Sequence, residues 1–214
     1  MYSTDGEFGK VRLVSHTPSR RALEGLFCFS SAGWHRCNDQ YLMFRSGEQA
    51  GFYQLIFTLD GCGCLEVDGT QMRLKAGSVA VMPPGLAHSY CTNTGEEWEF
   101  YWMILCGDLA QRMLSLLPQG IFWAEAPAQQ LGRRMEELLF TKKGGGVDLE
   151  LKISGLVYSV LAEVLLSFAH NGQREGVGGL TMAQKAMEYM EKHYSEPLTL
   201  ERVGEALFVS KTHL

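Results

Sequence analysis

One histidine in the stretch GSVAVMPPGLAHSYCTN, residues 77–93, has the side chain and the position to take part in chemistry. His88 follows the turn Pro83-Pro84-Gly85 and opens a short run of strand character. A neutral imidazole at the mouth of a β-barrel is a common ligand for transition metals, and a bound metal would make such a barrel catalytic. The sequence therefore poses a choice between a metal-dependent enzyme and a barrel that binds something else.

Cysteines form a second set of residues with metal-binding or redox chemistry. Six occur in the first half of the chain: Cys28, Cys37, Cys62, Cys64, Cys91 and Cys106. Because the N-terminus MYSTDGEFGK lacks the apolar run of a secretion signal, we expect reduced thiols in the cytoplasm. Cys62 and Cys64 have C-x-C spacing without the second Cys or His pair of a zinc site, so we interpret them as small strand side chains.

Residues 26–105 carry the pattern of an antiparallel β-barrel that would position the histidine. Short apolar runs alternate with glycine-containing turns at the spacing of successive strands. Two of these turns, Asp60-Gly61 and Asp68-Gly69, are predicted hairpins because both residue types tolerate positive φ.

After Gly107 the apolar spacing becomes helical. Two short helices are predicted, in DLAQRMLSLL and in PAQQLGRRMEELLFTKK. The third helix, Leu149–Phe168, is the longest, and its apolar stripe is wide enough to pack on the barrel and on a second copy. Glu163 interrupts it, and no stretch reaches the roughly 18 uncharged apolar residues of a membrane helix, so we expect no membrane span.

A second, smaller unit follows a predicted linker. The segment NGQREGVGGL is polar and rich in glycine, which is typical of flexible linkers. Beyond it, Thr181 and Thr199 are predicted N-caps of two helices, and Ser210 would cap a third helix that has barely begun. We therefore divide the chain into a first domain, a linker and a second unit: residues 1–170, 171–180 and 181–214.

The second unit resembles the beginning of the DNA-binding domain of AraC-type transcription regulators. The run SEPLTLERVGEALFVSKTHL has that family's Pro-Leu-Thr-Leu helix start and the Ser-x-x-x-Leu opening of a recognition helix. The resemblance implies two helix-turn-helix units, of which this chain holds only the first part, and it places Ser210, Lys211 and Thr212 near DNA. The unit carries four positive and five negative side chains, so we expect weak or no DNA binding from this chain itself.

The first domain resembles the regulatory domain of the same family, a cupin-like barrel followed by helices. Residues 53–107 follow that domain's order of strand, glycine turn, Pro-Pro-Gly-x-x-His and tryptophan-rich strand. The expected fold class is mainly β plus α: a cupin-like antiparallel β-barrel, a helical dimerisation segment and the start of a helix-turn-helix domain. The family implies an effector bound beneath an N-terminal arm, whose binding changes how two subunits present their DNA-binding domains.

The cupin pattern also bears on the metal. The second cupin motif is nearly intact and ends in His88, whereas the first motif should supply His-x-His and a glutamate. In the best register those positions hold Tyr53, Leu55 and Asp60. A transition-metal site needs about three protein ligands, which these residues do not provide. We therefore expect no metal, no cofactor and no catalytic residues; the alternative is a metal-dependent cupin enzyme, an isomerase or a dioxygenase.

Without a metal, the barrel interior is a candidate cavity for a small molecule. In the strand EEWEFYWMILCG alternate side chains share a face, which groups Trp98 with Phe100 and Trp102. Sugars stack on aromatic rings and need polar partners for their hydroxyls, so a sugar is the predicted ligand. The family resemblance matches Tyr90 and Trp102 to sugar-contacting positions. We predict five ligand-binding residues: Asp60, His88, Tyr90, Phe100 and Trp102.

Together these observations predict a cytoplasmic, ligand-responsive transcription regulator that is not an enzyme. The formal net charge of −5 argues against a generally basic surface for nucleic acids, although it allows a small DNA-reading segment. The expected partners are a carbohydrate effector, DNA for the intact protein, and a second copy of the chain contacted through Leu149–Phe168.

Overall fold

The computed structural model describes most of the chain. The described residues are 2–6, 8–47, 51–117, 121–125, 128–141, 146–171, 189–190, 193 and 199–206. They belong to two compact units, Met1–Phe168 and Ala169–Leu214.

Ten β-strands form the scaffold of the first unit within its described residues, and they pair antiparallel. Their burial follows the residue pattern, since the apolar run of β7 is buried at every position and β8 alternates. The strands are β1 Tyr2–Gly6, β2 Gly9–Ser15, β3 Cys28–Cys37, β4 Leu42–Arg45, β5 Tyr53–Val67, β6 Thr70–Lys75, β7 Ser78–Met82, β8 His88–Thr92, β9 Trp98–Cys106 and β10 Phe122–Glu125.

The long strand β5 belongs to both sheets of the barrel. Its first half pairs with β7 and β9, and its second half pairs with β6 and β8. The larger sheet runs in the order β1-β2-β3-β9-β5-β7-β10, and β4 pairs with the far side of β8. Side chains from both sheets meet in one interior cluster. This is the cupin-like barrel that the sequence predicts.

Strand β9 is almost completely buried because each of its faces meets a different core. Trp98, Phe100 and Trp102 point into the barrel interior, on one face as predicted. Met103 and Leu105 point to the opposite side and join the core beneath the helices. The barrel wall at β9 therefore separates an inner aromatic core from an outer aliphatic one.

Four helices of the first unit are described: α1 Arg20–Gly25, α2 Asp108–Leu114, α3 Ala128–Leu139 and α4 Val147–Asn171. The Ser19 hydroxyl caps α1 by accepting a hydrogen bond from the Ala22 N–H at 3.2 Å. Helices α2, α3 and α4 contribute Ala110, Met135 and Val157, among others, to the outer core. The three helices predicted after Gly107 are thus present.

The expectation that no segment is apolar enough to cross a membrane needs a correction at helix α4. Over Val147–Ala169 it is long and apolar enough to cross a membrane by length and composition, despite Glu163. Its inner face, however, packs against the barrel, with Ile153, Val157 and Leu161 buried in the outer core. The apolar residues on its inner face are therefore core residues, whereas Leu151 and Leu166 on its outer side are exposed.

One of the two predicted hairpins is wrong. Asp68 and Gly69 form the turn between β5 and β6, with φ of 48° and 76°. Asp60 and Gly61 instead lie inside β5, next to an irregularity in its pairing with β9. Gly61 has φ of 70° and approaches the Glu97 carbonyl so closely that a Cβ would overlap it. The glycine serves a bulge where β5 passes from one sheet to the other.

The N-terminal segment is part of the barrel's larger sheet. Strands β1 and β2 form a hairpin, and β2 pairs with β3 over Gly9–Ser15. The sequence pattern left these residues unassigned, apart from the arm that the family resemblance implied. In the described residues they extend the sheet.

The second unit contains α5, Leu200–Ala206, among its described residues. The Thr199 hydroxyl accepts a hydrogen bond from the Arg202 N–H at 3.2 Å, which confirms Thr199 as the predicted N-cap. The predicted linker beyond Asn171, the helix start at Thr181 and the predicted DNA contacts lie outside the described residues; those contacts are Ser210, Lys211 and Thr212.

Candidate ligand-binding site

A cavity of about 170 Å³ lies in the barrel between β4, the start of β5, the turn after β7 and the start of β8. Its lining mixes polar side chains with apolar ones, as ligand sites do. The polar side chains are those of Arg45, Ser46, Gln54 and His88. The apolar side chains include Phe44, Phe52, Met82, Leu86 and Ile104.

His88 is held in the cavity wall by hydrogen bonds to both ring nitrogens. Its Nδ1 lies 2.8 Å from the Leu86 carbonyl oxygen and therefore carries a proton, because a carbonyl can only accept. Its Nε2 lies 3.1 Å from Gln54 Oε1, and Gln54 Nε2 donates to the Tyr90 hydroxyl oxygen at 3.0 Å. The three side chains are almost fully buried and form one chain of hydrogen bonds.

The protonation state of His88 is coupled to the orientation of the Gln54 amide. Burial lowers the pKa of His88 below its usual range, and the nearby Arg45 charge lowers it further. A neutral His88 with its proton on Nδ1 presents Nε2 as an acceptor, which requires the amide NH₂ to face it. Turning the amide also lets Gln54 Oε1 accept from the Tyr90 hydroxyl. When His88 is neutral, the hydrogen bonds among His88, Gln54 and Tyr90 can therefore all form in only one orientation of the Gln54 amide.

Behind this wall the barrel is filled by a block of aromatic rings. The Trp98 and Phe100 rings stack with centroids 3.8 Å apart, and both side chains are completely buried. The Tyr90 ring meets both of them edge-on. The Trp98 ring lies against Gly63, whose position leaves no room for a Cβ. This block is packed core, so these rings do not line the cavity.

His35 is a second buried histidine, next to Trp102. The Trp102 indole N–H donates to His35 Nε2 at 3.0 Å, which requires Nε2 to be unprotonated. The proton of the neutral ring then lies on Nδ1, a buried atom for which the described structure offers no hydrogen-bond partner. Burial lowers the pKa of His35 to about 4. His35 is therefore neutral at pH 7.

The structure brings part of the predicted site together. His88 lines the cavity, and Tyr90 lies behind the cavity wall, where its hydroxyl is hydrogen-bonded to Gln54. Phe100 and Trp102 face the same interior but belong to the packed block. Asp60 is exposed on the outside of the barrel and lies away from the cavity. The ligand role of these residues stays a prediction.

Sequence reasoning missed Arg45 and Gln54. Gln54 is a polar residue inside the apolar run YQLIF, and a buried glutamine needs partners, so that position was a usable signal. Arg45 closes the short strand LMFR, where nothing in the sequence distinguishes a cavity residue from a surface one.

The described residues hold no group of three histidine, cysteine or acidic side chains placed to bind a metal. All six cysteines are free thiols, and Cys64 lies in β5 between strand neighbours. His88 uses both nitrogens in hydrogen bonds. The site is therefore built for hydrogen bonding.

A cupin-like barrel with a polar cavity, backed by helices, defines a small-molecule-binding domain of the type found in transcription regulators. The sequence matches the family model of the AraC-like ligand binding domain over residues 29–159. This match covers more than half of the chain, and the chain belongs to that family.

A curated protein is similar in sequence to this chain. The chain is 26% identical over 213 residues to the MmsAB operon regulatory protein of Pseudomonas aeruginosa, covering 94% of this chain and 64% of that protein. The chain thus spans a little under two thirds of the length of this curated relative.

Two solved structures illustrate the fold. ToxT from Vibrio cholerae aligns over 87% of this chain and 73% of its own, with 9% identity and a TM-score of 0.44. The Cupin_2 domain of an XRE family transcriptional regulator from Enterobacter cloacae aligns over 44% and 94%, with 15% identity and a TM-score of 0.35. Because both TM-scores are below 0.5, the family assignment rests on the sequence match.

Proposed function

We propose that the chain is the sensing part of a transcription regulator that binds a small effector in the barrel cavity. Effector binding would control sequence-specific DNA binding by a helix-turn-helix domain, of which residues 181–214 are the beginning. The observation that carries this proposal is the cavity at Gln54 and His88, located in the ligand-binding domain of a regulator family. The same family and relative favour a regulator over an enzyme.

A small carbohydrate or sugar acid is the proposed class of effector. Ser46 and Gln54 supply hydrogen-bond partners for hydroxyl groups, and Phe44 and Phe52 supply aromatic surface at the cavity mouth. A closed cavity of about 150 Å³ holds a benzene-sized molecule, so 170 Å³ suits a small one. DNA is the proposed partner of the intact protein, and the cytoplasm is its proposed location.

Replacing Gln54 by leucine is expected to weaken effector binding, because it removes a polar group from the cavity wall and leaves His88 and Tyr90 without their hydrogen-bond partner. The 214-residue chain would be screened by thermal shift against monosaccharides, disaccharides and sugar acids, and hits measured by calorimetry. We expect Gln54→Leu to weaken a hit by roughly tenfold or more. Gln71→Leu, at an exposed position of β6, should leave the affinity unchanged. Hits that bind both variants equally would contradict the cavity as the effector site.

We also propose that α4 forms a homodimer contact. Its outer side exposes a stripe of apolar side chains, with Val147 66%, Leu151 52%, Tyr158 50% and Leu166 53% exposed. The spacing by multiples of three and four residues places them along one face of the helix, opposite the buried inner face. This stripe lies within or beside the segment 149–168 that the sequence pattern selected.

Leu151→Glu is expected to convert the dimer to a monomer, since it places a charge within the apolar stripe. Sedimentation at tens of micromolar protein would measure the change. Lys152→Glu changes the charge at an exposed neighbouring position outside the stripe and should leave the dimer intact. A wild-type chain that sediments as a monomer would overturn the dimer proposal.

A further inference from the structure

Arg45 places a positive charge in the wall of the cavity. It is the last residue of β4 and pairs directly with His88 across the smaller sheet. The side chain lines the cavity and is partly buried. Its Nε is fully buried and has no hydrogen-bond partner in the described part of the chain. A buried guanidinium donor without an acceptor is costly, which makes this atom unusual.

The surroundings of Arg45 differ from those of the surface arginines, which are paired with glutamates. No aspartate or glutamate is found among the described residues that line the cavity. By contrast, the ion pairs of the described chain lie at largely exposed positions: Arg20–Glu24, Arg36–Glu97, Arg73–Glu96 and Arg134–Glu137. The Arg45 charge also reaches the cavity interior, because it adds to burial in lowering the pKa of His88. Among the described lining residues, the cavity wall therefore carries one positive side chain and no acidic one.

The surroundings of Arg45 specify which anion would fit. A guanidinium binds a carboxylate through two parallel hydrogen bonds, and this pairing strengthens where water is excluded. The other polar side chains that keep free hydrogen-bonding groups, Ser46 and Gln54, suit hydroxyls, while Leu86 and Ile104 are apolar. A phosphate carries up to two negative charges, for which a single arginine is a poor match. One arginine among neutral groups matches a monoanion with a short, partly hydroxylated body.

We propose that the effector is a small hydroxy-carboxylate whose carboxylate pairs with Arg45 and whose hydroxyl groups bond to the Gln54 amide, which keeps one N–H and one oxygen lone pair beyond its bonds to His88 and Tyr90. The inference rests on the proposed function, because it names the chemical class of the molecule that the same cavity senses. The inference restricts the proposed effector from carbohydrates in general to sugar acids and other hydroxy acids of similar size.

Calorimetry on the 214-residue chain with matched acids and neutral parents tests this directly. The probes are glycerate against glycerol, D-xylonate against D-xylose, and inorganic phosphate. We expect at least one carboxylate to bind at millimolar concentration or below, more tightly than its neutral parent and than phosphate. Arg45→Gln should weaken that carboxylate by roughly 30-fold or more, as expected for a buried charged pair. Arg73→Gln removes an exposed arginine of the same barrel and should change nothing.

Four other outcomes would overturn the inference, and Gln54→Leu shows in two of them whether the cavity is still the binding site. Neutral sugars that bind wild type and Arg45→Gln equally, but lose affinity in Gln54→Leu, would retain the cavity as sensor and eliminate the carboxylate. Binding of phosphate that is tighter than that of either acid and depends on Arg45 would replace the ligand class. If neither Arg45→Gln nor Gln54→Leu changed the affinity for a carboxylate, Arg45 would have no role in recognition and the binding site would lie outside the cavity. If no carboxylate bound at all, Arg45 would likewise have no role in recognition. Circular dichroism confirms that each variant is folded.

Discussion

Replacing Phe100 by alanine is expected to lower the free energy of unfolding by about 3–5 kcal/mol. The ring has no exposed surface and stacks on Trp98 at a centroid distance of 3.8 Å. It also contacts the rings of His35 and Tyr41 at 5.2 and 5.8 Å. Removing it leaves a cavity enclosed by rigid rings, which cannot collapse to fill the space. Urea denaturation of the 214-residue chain would measure the change.

Phe44→Ala is the matched control for this prediction. Phe44 loses the same atoms but is 75% exposed at the cavity mouth, so its replacement should change stability by about 0.5 kcal/mol or less. If Phe100→Ala cost no more than Phe44→Ala, the aromatic block would not be a packed core. Phe100 would then be free to turn toward a ligand, as the sequence analysis predicted.

Acidification from pH 7.5 to pH 4.5 is expected to cost about 2–3 kcal/mol of stability through His35 alone. In the folded protein burial lowers the pKa of His35 from 6.5 to about 4, so the ring stays neutral through most of this range. In the unfolded chain the same ring takes up a proton below about pH 6.5. The unfolded state therefore binds more protons, and the free energy of unfolding falls as the pH falls through this window.

The contribution of His35 is isolated by comparing how steeply the free energy of unfolding changes with pH in wild type and in each variant. His35→Gln keeps an acceptor for the Trp102 indole N–H but cannot titrate, so its stability should fall by about 2–3 kcal/mol less than that of wild type. His16→Gln is the control, because His16 is only partly buried and should alter the slope much less. Equal slopes for wild type and His35→Gln would show that His35 ionises normally and is not held by Trp102.

The barrel could be predicted from the sequence because its signals are local. Alternation of apolar residues, the Asp68-Gly69 turn and the tryptophan-rich strand each specify a piece of strand without knowledge of its partners. The helices after Gly107 were equally readable from their spacing. The failure at Asp60-Gly61 has the same origin, since positive φ suits a bulge as well as a hairpin, and only the pairing with β9 distinguishes them.

The site was less predictable because it depends on which side chains inside the barrel face the cavity and which are packed against other side chains. Alternation correctly placed Trp98, Phe100 and Trp102 inside the barrel. It could not reveal that these rings pack on one another, whereas Gln54 and Arg45 face the space that is left. That distinction comes from the pairing of β8 with both β4 and β5, which joins residues about 25 to 50 positions apart in the chain.

The double burial of β9 has a mechanical consequence for sensing. Ile104 lines the cavity, while its chain neighbours Met103 and Leu105 are embedded in the core that also holds α4. The cavity and the core that includes α4 thus lie on opposite sides of one strand. A shift in this backbone would reach both, because only the strand, one layer of side chains and α4 itself separate the proposed effector site from the proposed subunit contact.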